Sequence, residues 1–216
     1  MIKSGQEEAT MAQSGRRPAE ETRRRLLDAA DQVLREQGYA GVSARTIATA
    51  AEVNSALVFY HFGGVDQLLL AALDRATDER MALHRATASA AQTVEELVEA
   101  AATIYRTDLE RGYLAQFGEL VAAAVTKPAL RDEISTRAEP WVDFVAEHWE
   151  RVVGGSPLGK LLPARDVADA ALTFYLGVNL FSVIDPDRER TDHVFALASR
   201  LAPRARLLTM RLPGRR

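Results

Sequence analysis

Apolar residues recur at intervals of three and four along almost the whole chain, which is the spacing of one face of a helix. No stretch alternates at the period of two that a half-buried strand requires. A first helix is predicted from Pro18, because proline suits the first helical turn, to the stop signal at Gly38, and another from Asp66. Further helices are predicted at about 94–111, 113–125, 128–153, 165–184 and 189–206. The expected fold class is therefore all-α.

The composition excludes several classes of protein. The 216 residues include no cysteine, which excludes disulfides and thiolate metal sites. The four histidines form no H-x-x-x-H pair, so we expect no preformed metal site. We expect no cofactor either. With 47% hydrophobic residues, the chain is too apolar to be disordered. Its net charge of −3 does not by itself indicate a nucleic-acid partner, and the acidic excess lies after residue 64.

The stretch 167–184 is apolar and near the lower length limit of a membrane span. Asn179 interrupts it and no basic flank follows it, so the favoured interpretation is a buried or interface helix rather than a membrane segment. Because this helix is apolar around most of its circumference, we expect it to pair, together with the helix at 189–206, with the same helices of a second copy. The chain is therefore expected to be a homodimer.

The stretch 42–70 carries the most specific local pattern. Ser43 can cap a short helix at 44–50, and Asn54 can cap a second one at 55–61. Two helices of about two turns, joined by three or four residues, match the spacing of a helix-turn-helix. Small side chains at the crossing, such as Ala48, allow the close approach that this motif needs. By spacing alone, a plain helical hairpin with aromatic core residues is an equally good interpretation.

Three blocks in this region resemble the N-terminal domain of the TetR family of bacterial transcriptional regulators, over residues 22–73. The first helix of the family ends in a G-Y/F-x-x-[VT]-[ST] run, and GYAGVS stands at 38–43. The family's I-A-x-x-A-G-V-S turn is matched by IATAAEVN at 47–54. Its L-Y-x-H-F motif, followed by an acidic residue and leucines, is matched by VFYHF at 58–62 and DQLL at 66–69. The blocks agree in order and spacing without a gap.

The resemblance implies that the second short helix enters the major groove of DNA and that the groups flanking it contact phosphates. The implied base-edge positions are Arg45, Ser55 and Ala56. The implied phosphate positions are Ser43, Tyr60 and His61, with further contacts expected from Arg16, Arg17 or Arg23. The full predicted DNA-binding set is Ser43, Arg45, Thr46, Asn54, Ser55, Ala56, Phe59, Tyr60 and His61.

Three residues depart from the family pattern. Glu52 replaces the usual turn glycine and carries about 1 kcal/mol of strain if its backbone is left-handed. Phe59 lacks the hydroxyl of the usual tyrosine, and Val65 replaces a lysine that commonly meets a phosphate. The departures predict fewer contacts to the DNA backbone than in a typical member, and not a loss of DNA binding.

Aromatic residues at helical spacing mark the second part of the chain. Trp141, Phe144, His148 and Trp149 lie near one face of a predicted helix. Core packing is the default interpretation, and an aromatic-lined cavity for a mostly apolar small molecule is the alternative. The full predicted ligand-binding set is Tyr105, Tyr113, Phe117, Trp141, Phe144, His148, Trp149 and Tyr175. The run GGSPLGKL at 154–161 is one residue short of a phosphate-binding loop and is interpreted as a surface loop.

The sequence thus predicts a disordered arm at 1–17, a helix-turn-helix DNA-binding domain at 18–65 and a helical effector-binding and dimerisation domain at 66–216. The expected function is that of a cytoplasmic transcriptional repressor, released from a pseudo-palindromic DNA operator by a small-molecule ligand. Two alternatives stay open: a helical adaptor that uses the same hairpin to bind protein, and a helical enzyme without DNA binding. No arrangement of catalytic residues stands out by spacing, so we do not expect an enzyme.

Overall fold

A computed structural model describes the backbone of residues 3–182, 185 and 187–209, and the side chains of these residues except 3–17, 182 and 206. The described residues form α-helices and a single 3-10 turn, Tyr39–Gly41, without a strand. The predicted all-α fold class is confirmed. The helices are α1 Lys3–Gln37, α2 Ala44–Ala50, α3 Ala56–Phe62, α4 Val65–Ala90, α5 Val94–Glu110, α6 Tyr113–Ala124, α7 Pro128–Val153, α8 Pro157–Leu161, α9 Ala164–Ser182 and α10 Glu189–Thr209.

The helix bounds follow the sequence prediction closely in the second half of the chain. The predicted helix 128–153 coincides with α7, and α5 and α6 each end one residue earlier than predicted. Helix α10 continues to Thr209, beyond the predicted end at 206. Residues 183 and 184, the predicted end of the helix that corresponds to α9, lie outside the described residues.

The N-terminal segment differs from the prediction. Residues 1–17 are predicted as a disordered arm, whereas the backbone is helical from Lys3 and continues through Pro18 to Gln37. The segment contains Glu, Gln, Ala and Met, which favour helix, and these residues offset the effect of its serines and glycines. Met1 and Ile2 lie outside the described residues.

The chain divides into two compact units, Met1–Arg75 and Ala76–Arg216. The division falls within α4, later than the boundary expected between residues 65 and 66. Among the described residues, no single helix is both long and apolar enough to cross a membrane. Two helices, Ala56–Phe62 and Val65–Ala90, are together long and apolar enough, but the chain bends by 59° between them.

The unit Ala76–Arg216 holds two apolar clusters. The first is built on Tyr105, Leu114 and Val178, with four partly buried side chains packed against them: Leu109, Phe174, Tyr175 and Phe195. The second is built on Val94, Val153, Leu158 and Ala202, with four more at its edge: Val98, Trp149, Val152 and Ala205.

The second cluster shows that the interpretation of residues 154–161 as a surface loop is wrong. Pro157–Leu161 is a short helix that buries Leu158. Ser156 is also buried, and it caps this helix: its hydroxyl donates to the Val153 carbonyl at 2.6 Å and accepts the Gly159 N–H at 3.2 Å. The segment is ordered because Leu158 packs in the core and the Ser156 hydroxyl pairs with backbone groups of the segment and of α7.

The unit Met1–Arg75 is built on the buried face of α1. Each fully buried aliphatic side chain contributes about 1.5–3 kcal/mol. The most deeply buried are Leu26, Ala30, Leu34, Ile47, Val58, Leu68 and Leu69. At the edge of this core, Arg75 on α4 donates to Asp28 and Asp31 on α1, each at 2.7 Å.

The turn after α2 sets the angle between the two short helices. The N–H of Val53 donates to the Ala48 carbonyl at 2.9 Å, and the N–H of Glu52 donates to the Thr49 carbonyl at 3.1 Å. These two bonds define a Schellman motif, whose central position is normally glycine. Glu52 occupies this position with φ of 53°, so its backbone is left-handed. The sequence predicts backbone strain at Glu52 in this conformation. Its exposed carboxylate lies 3.3 Å from Arg25.

We expect Glu52→Gly to be more stable than Glu52→Ala by about 1 kcal/mol, measured by urea denaturation of the full chain. Both variants remove the carboxylate and its ion pair with Arg25. Only glycine relieves the left-handed backbone, so the difference between them isolates that cost. Equal stabilities would show that the turn stores no strain.

Candidate functional site

The start of α2 is fixed by a reciprocal cap. The Ser43 hydroxyl accepts the N–H of Thr46 at 3.1 Å, and the Thr46 hydroxyl accepts the N–H of Ser43 at 2.8 Å. The Thr46 hydroxyl also lies 3.1 Å from the Gly41 carbonyl and can donate to it. Because both hydroxyls serve the cap, the groups left for a ligand at this helix start are backbone N–H groups without an intrahelical acceptor. Arg45 is exposed beside them.

The start of α3 is capped by Asn54. Its side-chain oxygen accepts the N–H of Ala56 at 2.8 Å. Ser55 already has helical backbone angles, but the helix proper runs from Ala56 to Phe62, one residue later at both ends than predicted. Ser55 and Ala56 are both exposed at this helix start.

The outer face of α3 carries large aromatic side chains in water. Phe59 is 58% exposed and Tyr60 is 80% exposed, whereas Val58 is completely buried. An aromatic pair that packed a helical hairpin would be buried, so the interpretation of these two rings as core residues is wrong. Exposed rings beside small residues at a helix start form a surface suited to a partner.

The end of α3 is attached to α1. The Arg23 Nη1 group donates to the His61 carbonyl at 3.2 Å, and its guanidinium lies 4.3 Å from the centre of the Phe62 ring. His61 is half-buried, and its ring contacts Tyr60 at 5.0 Å between centroids. Arg23 thus positions α3, in addition to any contact with DNA. The side chains of Arg16 and Arg17 lie outside the described residues.

The second unit contains a buried ionic network that the sequence prediction missed. Asp108 on α5 is fully buried and accepts hydrogen bonds from Arg80 and His84 on α4 and from Tyr175 on α9. Burial alone would raise the pKa of Asp108, but the hydrogen bonds from His84, Arg80 and Tyr175 outweigh it and lower the pKa below its ordinary value. Burial raises the pKa of the Tyr175 hydroxyl, which stays protonated.

A signal for this network does exist in the sequence. Arg80 and His84 continue, one turn apart, the buried stripe of α4 that includes Leu69, Leu73 and Ala76. Charged or titratable residues on such a stripe require buried partners.

Three predicted ligand-binding residues surround Arg80. Its guanidinium carbon lies 4.3 Å from the centre of the Trp141 ring and 5.5 Å from the rings of Tyr113 and Tyr175. Each ring presents a surface that attracts a cation. Tyr175 also accepts a hydrogen bond from Arg80 at 2.7 Å. The structure thus brings these aromatic residues together around a charged group.

The other predicted ligand-binding residues are more dispersed. Phe144 contacts both Trp141 and His148, at 5.9 Å and 4.5 Å between ring centres. Tyr105 and Phe117 are buried. Trp149 packs in the second apolar cluster and donates to the Leu162 carbonyl at 3.0 Å. The two tryptophans therefore lie in different surroundings, although the sequence places them near one helix face.

We expect Asp108→Asn to lower the free energy of unfolding by about 3–5 kcal/mol, because it leaves the Arg80 charge buried without its partner. Asp143→Asn is the control, since that carboxylate is exposed and its loss should cost less than about 1 kcal/mol. Equal effects of the two substitutions would contradict the assignment.

The lowered pKa of Asp108 also gives a pH dependence. Ionised Asp108 stabilises the fold above the unfolded pKa of about 3.9, and this contribution disappears as pH falls through the lower folded pKa. Asp108→Asn should therefore lose less stability between pH 5 and 2 than the parent does, as followed by urea denaturation.

Comparisons with known proteins bear on both units. Residues 26–72 match the family model described as bacterial regulatory proteins, tetR family. Over 55 residues the chain is 47% identical to an HTH-type transcriptional repressor of Mycobacterium tuberculosis, a match that covers 26% of this chain and 29% of that protein. The chain thus aligns with less than a third of the length of that relative.

Two solved structures extend the likeness beyond the first unit. A TetR-family transcriptional regulator from Rhodococcus sp. superposes with a TM-score of 0.70 at 21% identity, over 84% of this chain and 98% of that one. The multidrug binding protein EbrR, complexed with malachite green, superposes with a TM-score of 0.58 at 26% identity, over the same shares of the two chains. The N-terminal region of the chain thus matches the TetR family of bacterial regulatory proteins, and most of its length has the fold of TetR-family regulators.

Proposed function

We propose that the chain is a sequence-specific DNA-binding transcriptional regulator, a repressor that leaves a pseudo-palindromic operator when a small molecule binds its second unit. The observation that carries this proposal is the exposed face of α3, where Phe59 and Tyr60 stand in water beside the small residues Ser55 and Ala56. The family match covers this helix, and the relative from Mycobacterium tuberculosis is named a repressor.

The predicted DNA-binding residues have different roles in this proposal. Ser55 and Ala56 allow the start of α3 to approach base edges, and the Phe59 ring suits a thymine methyl. Arg45 reaches a base edge from the start of α2. Tyr60 and His61 donate to phosphates and set the register of α3 on the duplex. Ser43, Thr46 and Asn54 act by capping the helices, which orients their free backbone N–H groups.

The proposed partner in solution is a second copy of the chain. Helices α9 and α10 expose several large apolar side chains. The most exposed are Leu180, Phe181, Val194, Leu197, Leu201, Leu207 and Leu208. Val194, Leu197, Leu201 and Leu208 share one face of α10 by spacing. Pairing these faces about a two-fold axis would form a dimer whose two α3 helices are related by that axis. Such an arrangement requires a pseudo-palindromic operator.

The ligand would act through the second unit. The aromatic rings around Arg80 give this unit surfaces typical of small-molecule sites, and the structural neighbour EbrR binds malachite green. A small molecule that binds a second conformation of the dimer more tightly than it binds the DNA-bound conformation shifts the population away from DNA.

The family is a class of regulators and not of enzymes, which argues against the helical-enzyme alternative. We place the protein in the cytoplasm, with its operator.

We expect Tyr60→Phe to weaken DNA binding about fivefold on the operator and on unrelated DNA alike, because a phosphate contact positions the protein without specifying sequence. The change removes only an exposed hydroxyl, so the melting temperature should stay the same. Fluorescence anisotropy on an operator selected from random duplexes measures both affinities.

Arg45→Ala should instead relax the sequence preference of the protein at one base pair of the operator. A protein that binds no duplex at low salt would favour the adaptor alternative.

We expect Phe181→Asp and Leu201→Asp to convert the dimer to monomers at micromolar concentration, because each puts a charge into the proposed apolar interface. Val125→Asp is the matched control, since Val125 is 72% exposed and lies outside α9 and α10. Analytical ultracentrifugation distinguishes the forms. A folded dimer of Phe181→Asp that binds DNA as the parent does would contradict this interface.

A further inference from the structure

We infer that helix α3 reads its operator through the 5-methyl groups of pyrimidines, so that 5-methylcytosine takes the place of thymine at the base that Phe59 contacts. The inference rests on the proposed function, since it needs α3 in the major groove of DNA. The Phe59 ring is 58% exposed, although the neighbouring Val58 is completely buried. An apolar ring left in water favours a partner that covers it with apolar surface.

The Phe59 side chain belongs to the end of α3 that enters the groove. Side chains of a helix lean toward its N-terminus, so Phe59 covers the surface one turn earlier, beside Ser55 and Ala56. Both of these residues are small and exposed. In a helix-turn-helix, the N-terminal residues of the second helix contact base edges. The small side chains therefore leave the Phe59 ring room to reach a base.

Helix α3 offers no side chain that identifies a base by paired hydrogen bonds. Such readout uses arginine or lysine at guanine, asparagine or glutamine at adenine, and aspartate or glutamate at cytosine. The sequence of α3, ALVFYHF, contains none of these residue types. The Asn54 side chain before it already uses its oxygen to accept the N–H of Ala56 at 2.8 Å. The Ser55 hydroxyl both donates and accepts, so it fits more than one base.

The methyl group of thymine is the base-specific feature that this surface suits. It projects into the major groove from C5 of the base, where cytosine carries only hydrogen, and phenylalanine is among the residues that contact it. 5-Methylcytosine carries the same methyl group at the same atom. The two bases differ at C4, in a carbonyl or an amino group that an apolar ring does not read. Phe59 therefore distinguishes methylated from unmethylated pyrimidines.

The test removes single methyl groups from an operator selected from random duplexes. Deoxyuridine replaces each thymine in turn, which keeps every hydrogen-bonding group of the base and loses only the methyl. At one thymine in each half-site we expect the parent protein to bind about fourfold more weakly, and about fifteenfold more weakly when both half-sites are changed. Fluorescence anisotropy measures these affinities.

Cytosine methylation gives the complementary measurement. A cytosine paired with guanine is placed at the position where uracil weakens binding, with and without a methyl group at C5. We expect the methylated duplex to bind about fourfold more tightly than the unmethylated one. Both preferences should stay the same as salt is raised, although every affinity falls, because only the contacts with phosphates release counterions.

Two neighbouring variants assign the preference to a side chain. Phe59→Ala should bind the thymine and uracil duplexes equally, because the ring that contacts the methyl group is gone. Its melting temperature should stay close to that of the parent, since most of the ring is exposed. Tyr60→Phe is the matched control: Tyr60 is 80% exposed, and loss of its hydroxyl should weaken binding to both duplexes while the fourfold ratio stays.

Equal binding of the parent to the thymine and uracil duplexes at every position overturns the inference. A Phe59→Ala variant that keeps the thymine preference of the parent overturns it as well, because the methyl group would then be read by another residue. Both results require that the protein binds DNA, so they leave the proposed function intact. A protein that binds no duplex at low salt refutes the proposed function itself.

Discussion

The Asp108 carboxylate is completely removed from water, and the second unit depends on satisfying it. An isolated charge at such a position would be prohibitively unfavourable, so the surrounding helices have to supply donors. Helix α4 supplies Arg80 and His84, and α9 supplies Tyr175, which joins three helices at one point. Buried ion pairs of this kind add little net stability over an apolar core, but they penalise any packing that separates the partners.

In the first unit, local interactions fix the ends of the two short helices, which pack on the buried face of α1. These helices are too short to be stable alone, and their ends are held by the caps of Ser43 and Asn54 and by the turn at Glu52. These polar side chains satisfy backbone groups within a few residues of themselves. Because the caps, the turn and the buried contacts with α1 hold the hairpin, the side chains on the outer face of α3 are not needed to hold it and stay exposed.

The difference between local and distant interactions explains what the sequence could predict. The starts of α2 and α7 follow from a capping serine and from Pro128, which act within one turn, and the predicted bounds of both helices coincide with the observed ones. The helix-turn-helix pattern is equally local. The Arg80–Asp108 pair spans 28 residues and the Tyr175–Asp108 bond spans 67, so no spacing rule connects their partners. The burial of Leu158 likewise depends on α10, which supplies Ala202 to the same cluster.

The separation of the two tryptophans has a consequence for spectroscopy. Trp141 lies against the guanidinium of Arg80, whereas Trp149 packs in the second apolar cluster and donates its indole N–H to the Leu162 carbonyl. Tryptophan occurs nowhere else in the chain, so the first unit has no such fluorophore. Intrinsic emission therefore reports the second unit only, through two chromophores in distinct surroundings. Replacing either indole with phenylalanine isolates the signal of the other, which gives the ionic network and the second apolar cluster separate optical probes.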